Sequence, residues 1–177
     1  MKLYFVRHGE TDWNKQKKIQ GSCDIELNEK GLAQALETAK LLKDKKIDII
    51  LSSPLKRAKK TAEIIAEQLN VDVEVVDELK ERNFGGFEGQ EIVKIDFKSL
   101  WRLNEEVGVE GLEQMLELFK RVQLGCRKIT EKYSDKNVLV VAHNGVCIPI
   151  RCYFDEGLKN GDLVELMIPN CSVLEIL

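Results

Sequence analysis

Only two histidines occur in the 177 residues, and each stands just beyond a short apolar run: His8 after Leu3–Val6 and His143 after Val138–Ala142. Arg7 precedes the first. Arg57 follows Ile49–Leu51 by way of Ser53-Pro54, and Glu81 comes shortly after Val73–Val76. If those runs are parallel strands, all five groups lie beyond their carboxyl ends, where open α/β sheets bind ligands. Two guanidiniums can grip phosphate oxygens in bidentate fashion. A neutral imidazole can attack phosphorus, dividing hydrolysis into two easier displacements. A second, protonated imidazole can stabilise the transferring oxygens, and a carboxylic acid can protonate the leaving oxygen. Such a set needs no metal. The plainer alternative is that Arg7 and His8 merely end a strand, while Glu81 pairs with Lys80 or Arg82 at the surface.

The elements that must position these groups are legible as alternating periods. Leu3–Val6, Ile49–Leu51, Val73–Val76 and Val138–Ala142 read as strands, the continuous ones buried on both faces. Leu163–Ile168 and Ser172–Leu177 read as a late strand pair joined around Pro169-Asn170. Asn28 caps a helix with Leu32, Ala35, Leu36, Ala39 and Leu42 on one face. Ser53 and Pro54 suit the cap and first turn of a second helix, with Ala58, Ala62, Ile65 and Leu69. The longest helix is expected from about Gly111 to Tyr133, its apolar stripe a core face. The fold class predicted is therefore α/β: a three-layer α/β/α sandwich with a mostly parallel central sheet. One domain over residues 1–177 is expected, with about 91–110 as a small apolar cap.

Composition narrows the function classes. Twenty-seven Lys and Arg against 30 Asp and Glu give a net charge of −3, which argues against a general nucleic-acid binder. No apolar run approaches the ~20 residues of a membrane span, and Leu3–Val6 is far short of a signal-peptide core, so a cytoplasmic location is expected. Five cysteines with no C-x-x-C pair read as small buried hydrophobes, and no metal site is expected.

Val6-Arg7-His8-Gly9-Glu10-Thr11-Asp12-Trp13-Asn14 resembles the signature of the histidine phosphatase superfamily, the phosphoglycerate-mutase-like fold. The resemblance continues, in order, through Ile19-Gln20-Gly21, Leu27–Gly31, Ser52–Ala58, Leu79–Gly85 and Val140–His143. It implies that His8 is the nucleophile, that Arg7, Arg57 and His143 form the phosphate pocket, and that Glu81 is general acid and then base. Asn14, Gln20, Gly21 and Asn144 would add phosphate or substrate contacts. Asn144 stands where the family usually has glycine, which puts a side chain into the pocket. Gly111-Leu112-Glu113 departs from the family's Gly-Glu-Ser block, and Pro149 falls inside the helix expected after His143.

Three activities compete: a phosphomonoesterase, a cofactor-dependent phosphoglycerate mutase, and a non-catalytic phosphate-binding domain. Mutases of this kind resemble longer chains with extra arginines in the cap, whereas 91–109 offers Lys94, Lys98 and Arg102 among apolar residues. The phosphatase is favoured, with no cofactor and a small phosphorylated metabolite as partner. Apolar residues of 91–103 would equally serve a homodimer face. Lys15, Lys17 and Lys18 read as a solvated loop that could also steer anions. Cys23, near the expected pocket mouth, could also be a point of oxidation, although a small buried hydrophobe is the favoured reading of it. Gly85-Gly86-Phe87-Glu88-Gly89 is no dinucleotide fingerprint, since its spacing is wrong.

Overall fold

The computed structural model describes residues 1–103 and 105–177. Five strands, β1 (Lys2–Arg7), β2 (Ile49–Ser52), β3 (Val73–Val75), β4 (Asn137–Ala142) and β5 (Val173–Glu175), form one sheet in the order β3-β2-β4-β1-β5. The first four are mutually parallel and β5 runs antiparallel to β1. Alternation along each strand splits the core in two. Leu3 and Phe5 of β1, with Leu51 and Val140, face one way; Tyr4 and Val6, with Ile50, Leu139 and Val141, face the other. After a one-turn α1 (Asp12–Lys15), helices α2 (Glu29–Leu42) and α3 (Lys56–Leu69) cover the second face through Ala39, Leu42, Ala58, Ala62 and Ile65. Helices α4 (Met115–Lys132) and α5 (Asn144–Phe154) cover the first. The result is the three-layer α/β/α sandwich, and every buried central strand reads as a continuous apolar run for that reason.

Several local expectations hold. Asn28 caps α2, its side chain accepting from the Gly31 N–H at 2.9 Å. Pro149 does lie within α5, where it cannot donate to the Gly145 carbonyl, and the helix continues through it. Three expectations need correction. The second helix opens at Lys56 behind Leu55, not at Ser53-Pro54, because Ser53 continues the sheet ladder by donating to Val141 O. Leu163–Leu166 is a 3-10 turn capped by Asp162, not a strand; Leu163 and Leu166, three apart, are buried together, which is a turn's spacing. The longest helix starts at Met115, since Gly111 takes a left-handed φ of +76° and Leu112 bridges to Phe84.

The described part of 91–110 contains two 3-10 turns, Ile92–Lys94 and Ser99–Trp101, and packs Ile92, Phe97, Leu100 and Trp101 over the sheet end. Among the described residues no helix is long and apolar enough to cross a membrane.

Candidate active site

β1 and β4 are adjacent, and Arg7 pairs with Ala142, so the next residues, His8 and His143, are delivered side by side. Their ring centroids are 5.1 Å apart. His8 is almost fully buried. Its Nδ1 faces the Gly9 carbonyl at 2.7 Å and its Nε2 faces the Arg57 Nε–H at 3.3 Å. A carbonyl only accepts and a guanidinium only donates, so the proton sits on Nδ1 and the lone pair on Nε2. Burial, then Arg57 and Arg7, push the His8 pKa well below its usual value. His143 Nε2 meets Ser53 Oγ at 2.8 Å, while its Nδ1 is buried with no partner among the described residues.

Arg57, in the first turn of α3, is wholly buried. Its two terminal nitrogens donate to Cys23 O at 2.7 Å and Gly21 O at 2.8 Å. Burial lowers it to about 10, which leaves it protonated at neutral pH. Arg7 donates to Ile168 O at 2.9 Å, and its Nε is buried without a partner among the described residues. Glu81 accepts from the N–H groups of Arg82 at 2.8 Å and Gly145 at 3.3 Å. Desolvation nevertheless raises its pKa, outweighing those bonds and the two arginines. A Cβ at Gly145 would come within 2.2 Å of the carboxyl oxygen, so any side chain there would push the Glu81 carboxyl aside.

Arg7, His8, Asn14, Gln20, Gly21, Arg57, Glu81 and Asn144 line one cavity of about 220 Å³. Its outer wall is Phe84, Ile92, Phe97, Trp101 and Met167, with Lys18 as the further cation. His143 is not on that wall; it is fully buried beside His8. Asn144 does not crowd the space: its Oδ1 accepts from Ile168 N at 2.9 Å, fixing the residue whose carbonyl holds Arg7. Among the described residues no group of three or more His, Cys, Asp or Glu is placed to hold a metal ion.

One expectation fails at this level, and one minor alternative falls with it. Both imidazoles are pushed down, His143 by burial and then Arg57, so the pair is not split into one neutral and one protonated ring. Cys23 donates its thiol to Glu88 and is raised to about 11 by burial and that carboxylate, which removes the thiolate that oxidation requires. Sequence reasoning also missed four residues. Thr61 Oγ accepts from Gly9 N at 3.0 Å, and Asn170 donates to His8 O at 2.8 Å. Ser53 bonds His143. Arg82, offered to the surface, is 1% exposed and donates to the carbonyls of Glu113 and Leu100. Only Thr61 carried a signal, four residues after Arg57 on the same helix face.

Fold and site together are those of an α/β phosphate-handling enzyme. The histidine phosphatase superfamily (branch 1) matches residues 3–177, and the chain belongs to that family, as a phosphatase-class enzyme. An uncharacterized phosphatase, PhoE, of Bacillus subtilis is 45% identical over 173 residues, 96% of this chain and 87% of that protein. Phosphoglycerate mutase-like protein 4 of Arabidopsis thaliana is 36% identical over 180 residues, covering 97% and 76%. The solved mycobacterial glucosyl-3-phosphoglycerate phosphatase superposes with a TM-score of 0.85 at 26% identity, over 98% of this chain and 88% of that one.

Proposed function

We propose that the protein is a metal-independent phosphomonoester hydrolase acting through a phosphohistidine on His8. The observation that carries this is the His8 tautomer: Nδ1–H is tied to Gly9 O, so the Nε2 lone pair is the one beside Arg57 on the cavity. Nε2 attacks phosphorus as the bond to the leaving oxygen breaks, and Glu81 gives that oxygen its proton. Water then attacks the phosphohistidine, Glu81 takes the water's proton, the N–P bond breaks and phosphate departs. The raised Glu81 pKa favours the acid form that the first step needs.

Arg7 and Arg57 supply positive charge to the equatorial oxygens in a site screened from water. His143 contributes without being an imidazolium. Held at 2.8 Å by Ser53 Oγ, the neutral ring packs against the His8 imidazole, 5.1 Å between centroids, and supports the nucleophile from behind. The substrate is read as a small phosphorylated metabolite. A wall with Lys18 as its one further cation suits a phosphatase better than a mutase, which must also hold a second anionic group.

The test is hydrolysis of p-nitrophenyl phosphate in excess EDTA, wild type beside His8→Ala. Metal-free turnover falling by about 10⁴-fold or more in the variant is expected. An acid-labile, alkali-stable phosphoenzyme should be trapped with wild type alone. Undiminished turnover in the variant would end the reading.

A further inference from the structure

The Gly85–Gly89 motif is unused by the mechanism above, and Glu88 within it has an unusual set of partners. Its Oε1 accepts from Ser22 N at 2.7 Å, Ser22 Oγ at 3.0 Å and Phe84 N at 3.1 Å. Its Oε2 accepts from Cys23 Sγ at 3.0 Å and Ser22 Oγ at 3.3 Å. Every one of these donors is neutral, and no cation pairs with it among the described residues. Two loops are therefore joined by one carboxylate. Gly21, at φ +52°, is pressed so close that a Cβ would lie 2.1 Å from Oε1. Backbone bonds flank the junction: Gly89 N donates to Ile19 O at 2.8 Å and Ile19 N to Gln90 O at 2.9 Å.

The loop so fixed is the one whose carbonyls aim Arg57. Gly21 O and Cys23 O lie on either side of Ser22 and hold the two terminal guanidinium nitrogens at 2.8 and 2.7 Å. With those held, the guanidinium plane is set and Nε falls at 3.3 Å from His8 Nε2. We propose that Glu88 is a positioning residue for Arg57, acting through residues 21–23 as a hydrogen-bond hub that sets the phosphate pocket. Glu88 itself is not on the cavity wall. The inference rests on the phosphate-pocket reading, and it deepens that reading by adding the support behind the pocket. Supports of this kind act by geometry, since misplacement of a charged donor by about 1 Å costs about 10²-fold in rate.

The hub function predicts a pattern that a charge effect on Arg57 reverses. Glu88→Gln removes the charge but keeps an oxygen for Ser22 N and Phe84 N. Glu88→Asp keeps the charge but withdraws it by one methylene. The experiment measures kcat and KM for p-nitrophenyl phosphate, and inorganic phosphate binding by calorimetry, on the full chain of wild type, Gln and Asp variants. The Gln variant should stay within about threefold of wild type, while the Asp variant loses about 10- to 100-fold in kcat/KM and weakens phosphate binding in parallel. An intact Asp variant overturns the proposal, as does a Gln variant impaired as badly as Asp. The calorimetric arm needs no turnover. Wild type that binds phosphate but hydrolyses nothing would sink the hydrolase reading, and the variant pattern would still decide the role of Glu88.

Discussion

The sheet-end rim and the apolar cap meet across one small cavity, yet they are built on different terms. On the rim, each polar group follows directly from a strand or helix, and backbone groups hold it: Gly9 O for His8, Ile168 O for Arg7, Gly21 O and Cys23 O for Arg57. The cap over it has 3-10 turns in place of long elements, and a buried side chain fastens it. Arg82 donates to Leu100 O, and its guanidinium lies 5.2 Å from the Phe84 ring and 5.4 Å from that of Trp101. The chemistry thus rests on the sheet, whose geometry changes only if the core changes. The leaving-group wall is fastened by the arginine next in sequence to Glu81, and it joins the phosphate side chiefly where Glu88 bridges Phe84 N and Ser22 N.

The sharpest way to break that division is Glu81→Gln, which keeps the acceptor oxygen and removes the transferable proton. Turnover of an alkyl phosphate should fall by about 10²–10⁴-fold, and that of p-nitrophenyl phosphate, whose leaving group needs no acid, far less. Equal losses would remove the acid role. Stability should move the opposite way. A carboxyl whose folded pKa is raised contributes stability that is present below the unfolded value of 4.5 and lost as pH rises through the folded value. At neutral pH the raised pKa therefore costs stability. Glu81→Gln should raise Tm above pH 7 by a few degrees, about 1 kcal/mol, and by less at pH 4.

A smaller and differently distributed loss is expected from Arg82→Met, which fills similar volume but frees the Leu100 and Glu113 carbonyls. Tm should drop by about 4–10 °C, the cost of breaking a buried charged network. KM for a bulky aryl phosphate should rise several-fold, while inorganic phosphate inhibits as before. If phosphate binding weakened as much as KM rose, the rim and cap would not be separable, and the contrast between them would fall.

That contrast also explains what could be read from sequence. The strands, the Asn28 cap, and the delivery of Arg7, His8, Arg57, Glu81 and His143 to one end follow from local period and parallel order alone, and a family resemblance sharpens them. Asn170 against His8, Ser53 against His143 and the burial of Arg82 depend on contacts between residues far apart in the chain, which leave no period. Leu163–Leu166 misled because a short apolar run does not distinguish strand from turn. The pairing of both histidine pKa shifts was missed for a related reason: it depends on how completely the fold dries the site.

That drying gives the mildest prediction. His8 and His143 have folded pKa values depressed by burial first and by Arg57 next, so they remain neutral where the unfolded chain's imidazoles protonate. Stability from a depressed group is present above the unfolded value of 6.5 and is lost as pH falls from there toward the folded value. Between pH 6.5 and 5.5 each ring should cost about 1 kcal/mol, or roughly 2–4 °C of Tm. The exposed, ion-paired carboxylates, such as Glu74 with Lys132, have their pKa values lowered from 4.5 and titrate mainly below this window. The double variant His8→Asn/His143→Asn should therefore show a flatter Tm profile from pH 7 to 5.5 and the usual acid loss below pH 4.5. A parallel profile in wild type and variant would mean that the folded rings accept protons, and that the two arginines do not dominate the pocket's field.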